Sequence, residues 1–164
     1  MITVEDGTGL PEADSYISVA DADRYHDRYG NASWSDLSVR EKEIALRKAT
    51  RDLDLLYTFK GEQKYPETQS LAFPRTPYNG LPKALPDACA ELALVGLSVD
   101  VSGPSTNTGN IKSLEQEVGD LKTKTEYFNV SDGLEKAQMR KVNLILQNLL
   151  DNTSTGLIVR VERG

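Results

Sequence analysis

The stretch SVREKEIALRKATRDLDLL, residues 38–56, decides the fold. Ser38 and Glu41 form a capping box: the serine hydroxyl accepts from a backbone N–H one turn on, and the glutamate carboxylate accepts from the backbone N–H of the serine. Ala45, Ala49, Leu53 and Leu56 follow close to helical period, with Ile44 and Leu46 beside them. Glu41, Lys42, Glu43, Arg47, Lys48, Arg51 and Asp52 fill the wet side. This is an amphipathic helix that must bury one side against something. Trp34 stands just ahead of the cap, placed to close over the first turn.

On the N-terminal side, residues 1–17 read as irregular, because Gly7, Gly9 and Pro11 interrupt any regular element, with a short strand expected at residues 2–4. Ser18 is an N-cap with Asp21 in the first turn, facing the positive end of the helix dipole. That helix runs from about Val19 to Tyr29 and stops at Gly30, a suitable left-handed cap. Its apolar side is thin (Ala22, Tyr25, Tyr29), so it reads as a surface helix and His26 as a solvated histidine.

On the C-terminal side, residues 58–84 hold Gly61, Pro66, Pro74, Pro77, Gly80 and Pro82 and read as one long loop, a length that usually means function or ordering by a partner. A third helix begins near Pro86. Ala88, Cys89, Leu92, Val95 and Val99 lie on one side of it, and Leu94 and Leu97 on the other. A helix apolar nearly all round belongs in the centre of a domain. After a flexible joint at residues 102–110, Gly119-Asp120 reads as a two-residue hairpin turn. Folding about it pairs Val118 with Leu121, Glu117 with Lys122 and Glu115 with Lys124, so that two acid–base pairs share one face of a hairpin over 111–128. A last helix is expected from about Leu134 to Leu150, with Val142, Ile145, Leu146, Leu149 and Leu150 as its stripe. The tail Leu157-Ile158-Val159-Arg160-Val161, within an extended arm over 156–164, is strand-like and must dock somewhere. The expected fold is therefore mainly α: about four helices around one core, a β-hairpin between the third and fourth, and a strand-like C-terminal arm, all in a single domain over 1–164.

Bulk properties narrow the function. The chain has 164 residues, 38% hydrophobic and 27% charged, which suits one globular domain and not a disordered chain. A net charge of -6, most of it from seven acids against two arginines in residues 1–30, argues against a surface wholly built to neutralise phosphates. The single cysteine, Cys89, cannot form an intramolecular disulfide and reads as a small core residue. The N-terminus lacks the basic start and apolar stretch of a signal peptide, so the expected setting is a reducing cytoplasm.

Catalytic patterns are missing. His26 has no nucleophile in a recognisable context, and there is no CxxC, HExxH, calcium loop or P-loop. The expectation is a non-enzyme without catalytic, cofactor or metal sites. A basic and aromatic set for single-strand binding exists but is scattered: Lys60, Lys64, Tyr65, Phe73, Arg75 and Tyr78 in the long loop, and Lys112, Lys122, Lys124 and Tyr127 around the hairpin.

An ordered set of short motifs adds a resemblance. It consists of Val4-Glu5-Asp6-Gly7-Thr8-Gly9 with Asp14-Ser15-Tyr16, Gly30-Asn31-Ala32-Ser33-Trp34, Phe59-Lys60-Gly61, Leu71-Ala72-Phe73-Pro74-Arg75-Thr76, Leu85-Pro86, and Val159-Arg160-Val161-Glu162-Arg163-Gly164. In this the chain resembles the tailed-phage head-to-tail adaptor (connector) proteins, some of which carry a label as DnaT-like single-stranded-DNA-binding proteins. Phe73 stands where that pattern has tryptophan. The resemblance implies a structural virion protein at the head–tail interface, made in the host bacterial cytoplasm. It would be a ring of about twelve copies of itself that binds portal on one face and a stopper or tail-completion protein on the other. Double-stranded DNA would pass through its channel unread, and no membrane would be involved. The partner-binding candidates are Leu157, Ile158, Val159, Arg160, Val161 and Arg163 in the arm, Glu115, Glu117, Lys122 and Lys124 in the hairpin, and Phe73 and Arg75 in the loop. The alternative is a single-stranded-DNA-binding module of a phage replication complex, marked by salt-dependent affinity that weakens when Lys60, Arg75 or Lys124 is changed.

Overall fold

A computed structural model describes residues 1–98, 113–118, 121–126 and 130–151, with side chains over 1–98 and 137–151. The elements in order are α1 (Val19–Tyr29), α2 (Ala32–Ser35), α3 (Val39–Leu56), α4 (Ala84–Val95), β1 (Ser113–Val118), β2 (Leu121–Glu126) and α5 (Val130–Leu146). The protein is mainly helical. The short α2, which carries Trp34, makes a fifth helix that no periodicity announces, since one turn is too short to show a period.

The capping box on α3 closes in full: Ser38 Oγ accepts from Glu41 N at 3.3 Å, and Glu41 Oε2 accepts from Ser38 N at 2.8 Å. Ala45, Leu46, Ala49 and Leu53 on its inner side are buried. They face α4, the central helix, whose Leu85, Ala88, Cys89, Ala90, Leu92, Ala93 and Val95 are all buried. The other side of α4 takes α5, through Val142 and Leu146. Burying each such Leu or Val is worth roughly 1.5–3 kcal/mol against leaving it in water, which is why α4 holds the middle. Helix α5 begins four residues before the expected start, because Gly133 in a first turn weakens a helix without ending it. The expected strand at residues 2–4 reduces to one parallel bridge between Val4 and Ser15.

His26 corrects the sequence reading. It is 1% exposed, not solvated. Its ring lies 4.4 Å from that of Trp34, and its Nδ1 meets Asn31 Nδ2 at 3.0 Å. Helix α1 is therefore less of a surface helix than its thin apolar side implied. Aromatic groups supply what aliphatic ones do not, and Tyr25 donates to the buried Glu91 of α4 at 2.7 Å.

Residues 58–83 have no regular structure but are ordered by their own chain. Phe73 is fully buried among Tyr16, Phe59 and Tyr78. Asp54, at the end of α3, accepts from Tyr16 Oη (2.6 Å) and Ala72 N (2.9 Å). Gly61 adopts φ +76°, where a Cβ would sit 1.6 Å from Thr76 O, so no other residue fits.

β1 and β2 pair antiparallel with Val118 opposite Leu121, Glu117 opposite Lys122 and Glu115 opposite Lys124. The expected turn Gly119-Asp120 and the arm over 156–164, with its candidates Leu157, Ile158, Val159, Arg160, Val161 and Arg163, lie outside the described residues. No described helix is long and apolar enough to cross a membrane.

Candidate functional site

The cations proposed from sequence end up in different situations. Arg75 turns inward, its guanidinium donating to three carbonyls: Lys60 O at 3.0 Å, Ala72 O at 3.4 Å, and Gly61 O. Lys60 donates to Asn148 O at 3.1 Å. Phe73 is core, and Tyr78 is half-buried against it. Of the loop set only Tyr65 keeps an exposed ring, lying over Gly9, with half-buried Lys64 beside it. Lys122 and Lys124 stand opposite Glu117 and Glu115 in the β register. Lys112 and Tyr127 lie outside the described residues. The scattered set therefore does not assemble into a stacking platform.

A different set does assemble, on the outer side of α3. Arg40, Lys48 and Arg51 are all exposed and have no ion-pair partner among the described residues. At about 100° per residue they fall, with Arg47, within roughly a quarter to a third of the helix circumference. From Arg40 to Arg51 the stripe is about 16 Å long at 1.5 Å per residue. Ile44 and Leu55, 47% and 63% exposed, lie between and beyond the cations.

What makes the stripe basic is where the acids of α3 go. Glu41 is drawn into the capping box, and the serine hydroxyl and backbone N–H there hold its carboxyl below the usual range. Glu43 meets the Met1 amino group at 3.1 Å. Asp52 is buried, and Asp54 points to Tyr16 and Ala72, with its carboxyl pushed up by burial. Lys42, on the opposite side of the helix, pairs with Asp23 at 2.9 Å and lies over the Trp34 ring. A chain with net charge -6 thus presents one helix side on which Arg40, Lys48 and Arg51 are unopposed. In the sequence, Arg47, Lys48 and Arg51 share the wet side with Glu41, Glu43 and Asp52, and nothing local separates them from these acids. The spacing i, i+8, i+11 of Arg40, Lys48 and Arg51 was the available signal.

A cleft of about 520 Å³ lies between the N-terminal segment, α1 and the start of α4, lined among others by Glu5, Asp21, Arg24, Arg28, Lys83 and Asp87. Its Arg24 and Lys83 are paired with Asp21 and Asp87, and the Glu5 carboxylate is filled by the N–H groups of Gly7, Gly9 and Leu10. Its polar groups largely answer one another. No group of three or more metal-ligating side chains occurs among the described residues.

A family model described as "Putative DnaT-like ssDNA binding protein" matches residues 1–164, the whole chain. The chain belongs to this family. No curated protein and no solved structure matches it. The DnaT-like match corrects the expectation of a structural head-to-tail adaptor, because the description that spans every residue names single-stranded-DNA binding and no virion role. Two of the motifs that suggested the adaptor hold the fold: Phe59-Lys60-Gly61 and Leu71 to Thr76 build the loop clamp around Arg75 and Phe73. Such positions report architecture, and function has to be read from surface groups.

Proposed function

We propose that this chain is a non-enzymatic single-stranded-DNA-binding module whose phosphate-tracking surface is the outer side of α3. The observation that carries the reading is the stripe of Arg40, Lys48 and Arg51, with every acid of the same helix committed elsewhere. The whole-chain family match supports it. Lys and Arg neutralising backbone phosphates release counterions, which supplies affinity without reading sequence. A stripe of about 16 Å runs beside roughly four or five stacked nucleotides at 3.4 Å each, near the lower end of single-strand site sizes. Ile44 and Leu55 offer apolar surface to the bases. No aromatic side chain lies on the stripe, so affinity is modest and governed by salt.

The reading keeps β1 and β2 as the two strands of a hairpin and assigns them no phosphate contact.

The test is fluorescence anisotropy with a labelled oligothymidylate of about 16 nucleotides, the upper site size of a single-strand fold. Log affinity should fall with log salt at a slope of about -2, as three neutralised phosphates of a single strand require. The triple variant R40A/K48A/R51A should lose most of that slope and bind at least about tenfold more weakly at low salt. Absence of binding by the unaltered protein at low salt, or equal binding by the triple variant, overturns the reading.

A further inference from the structure

One cation on the same side of α3 is not free. Arg47, between Arg40 and Arg51 along the helix, sends Nε to Asp14 Oδ2 at 2.6 Å and Nη2 to Met1 O at 2.6 Å. Asp14 is fixed in turn: its Oδ1 accepts from Thr3 N at 2.8 Å, and its own N–H donates to Thr3 O at 2.9 Å. A clasp of backbone and carboxylate thus lies over the centre of the basic stripe, and both partners of the pair stay more than a third exposed.

We propose that Arg47 is a latent fourth phosphate contact, masked by the Asp14 carboxylate, so that the N-terminal segment sets how tightly the α3 surface holds single-stranded DNA. A strand phosphate and the Asp14 carboxylate present the same chemistry to a guanidinium, an anionic oxygen pair in its plane. They therefore compete for one group. The exchange is inexpensive, because an exposed ion pair contributes little stability and the N-terminal segment keeps its other anchors: the Glu5 N–H to Ser15 O bond at 2.9 Å, and Ser70 Oγ to Ala13 O at 2.6 Å. The inference rests on the single-strand reading above and adds a regulated contact to that surface.

The experiment is a two-by-two cycle, measured as salt titrations of oligothymidylate binding on the full chain: unaltered protein, D14N, R47A and D14N/R47A, with E12Q as a charge control from the same segment. D14N keeps an oxygen for Thr3 N and takes the carboxylate away from Arg47, leaving it only the Met1 carbonyl. It should bind several-fold tighter at low salt, with the slope steeper by about 0.7, one additional phosphate. R47A alone should keep the unaltered slope, since Arg47 is masked there, with affinity somewhat lower because the Asp14 carboxylate is left uncovered, and combined with D14N it should cancel the gain in slope. E12Q should leave the slope unchanged. If D14N fails to fold by circular dichroism, R47A alone still decides, because a slope as shallow as that of R40A would show that Arg47 is already engaged and overturn the proposal. So would an unchanged slope in folded D14N, or an equal gain in E12Q. Absence of any binding by the unaltered protein would instead remove the single-strand reading itself.

Discussion

The loop over 58–83 and the outer side of α3 both hold cations near apolar groups, and they use them in opposite ways. In the loop, Arg75 and Lys60 turn to carbonyl oxygens, and the aromatics turn to one another. On α3, the helix already engages its own backbone carbonyls, so Arg40, Lys48 and Arg51 find no acceptor there and remain outside, while Arg47 reaches Asp14 and Met1 O of the N-terminal segment. An irregular segment leaves backbone acceptors unpaired, and a nearby guanidinium with five donors satisfies several at once. The contrast shows that a cation's availability depends on the hydrogen-bonding state of the backbone near it, more than on local charge density.

Substitutions can break or sharpen the comparison. The largest effect belongs to the loop: Phe73→Ala empties a fully buried aromatic site and should cost about 3–5 kcal/mol in denaturant unfolding. Arg75→Ala comes next, leaving carbonyls at Lys60, Gly61 and Ala72 without their donor. It should lower stability by about 2 kcal/mol, discounted for partial exposure, while single-strand affinity of the folded fraction stays unchanged. A loss of affinity equal to that of the α3 triple variant would erase the distinction between the two regions.

His26 offers a third, pH-dependent point. Burial holds its pKa below the ordinary 6.5, outweighing the attraction of Glu91 and Asp23. Below pH 6.5 the unfolded chain therefore takes up a proton that the folded one resists, so stability falls as pH drops through 6.5 toward the lowered folded value. The chain has one histidine, so His26→Gln should flatten urea midpoints compared at pH 7.5 and 5.5. A solvated histidine, as the sequence implied, would give no such difference. The smallest effect on stability should come from R40A/K48A/R51A, within about 0.5 kcal/mol of the unaltered protein, although this variant has the largest effect on binding. Greater destabilisation would mean that the stripe has structural partners after all.

Much of this molecule follows from local pattern. The cap Ser38, the stop at Gly30 and the run Ala88 to Val95, apolar but for Glu91, act over one or two helical turns, so neighbouring residues largely determine α1, α3 and α4. Function was harder to read, because the motifs at Gly61 and Phe73 to Arg75 are distinctive for reasons of packing. Only the tertiary structure decided that His26 is buried under Trp34, that Arg75 is held by carbonyls, that Arg47 is clasped by Asp14, and that Arg40, Lys48 and Arg51 are left unopposed. Their partners range from Ala72, three residues from Arg75, to Met1, 46 residues from Arg47. Every residue carries a carbonyl and many carry acids, so sequence shows that acceptors are plentiful, and folding alone selects which of them each cation meets.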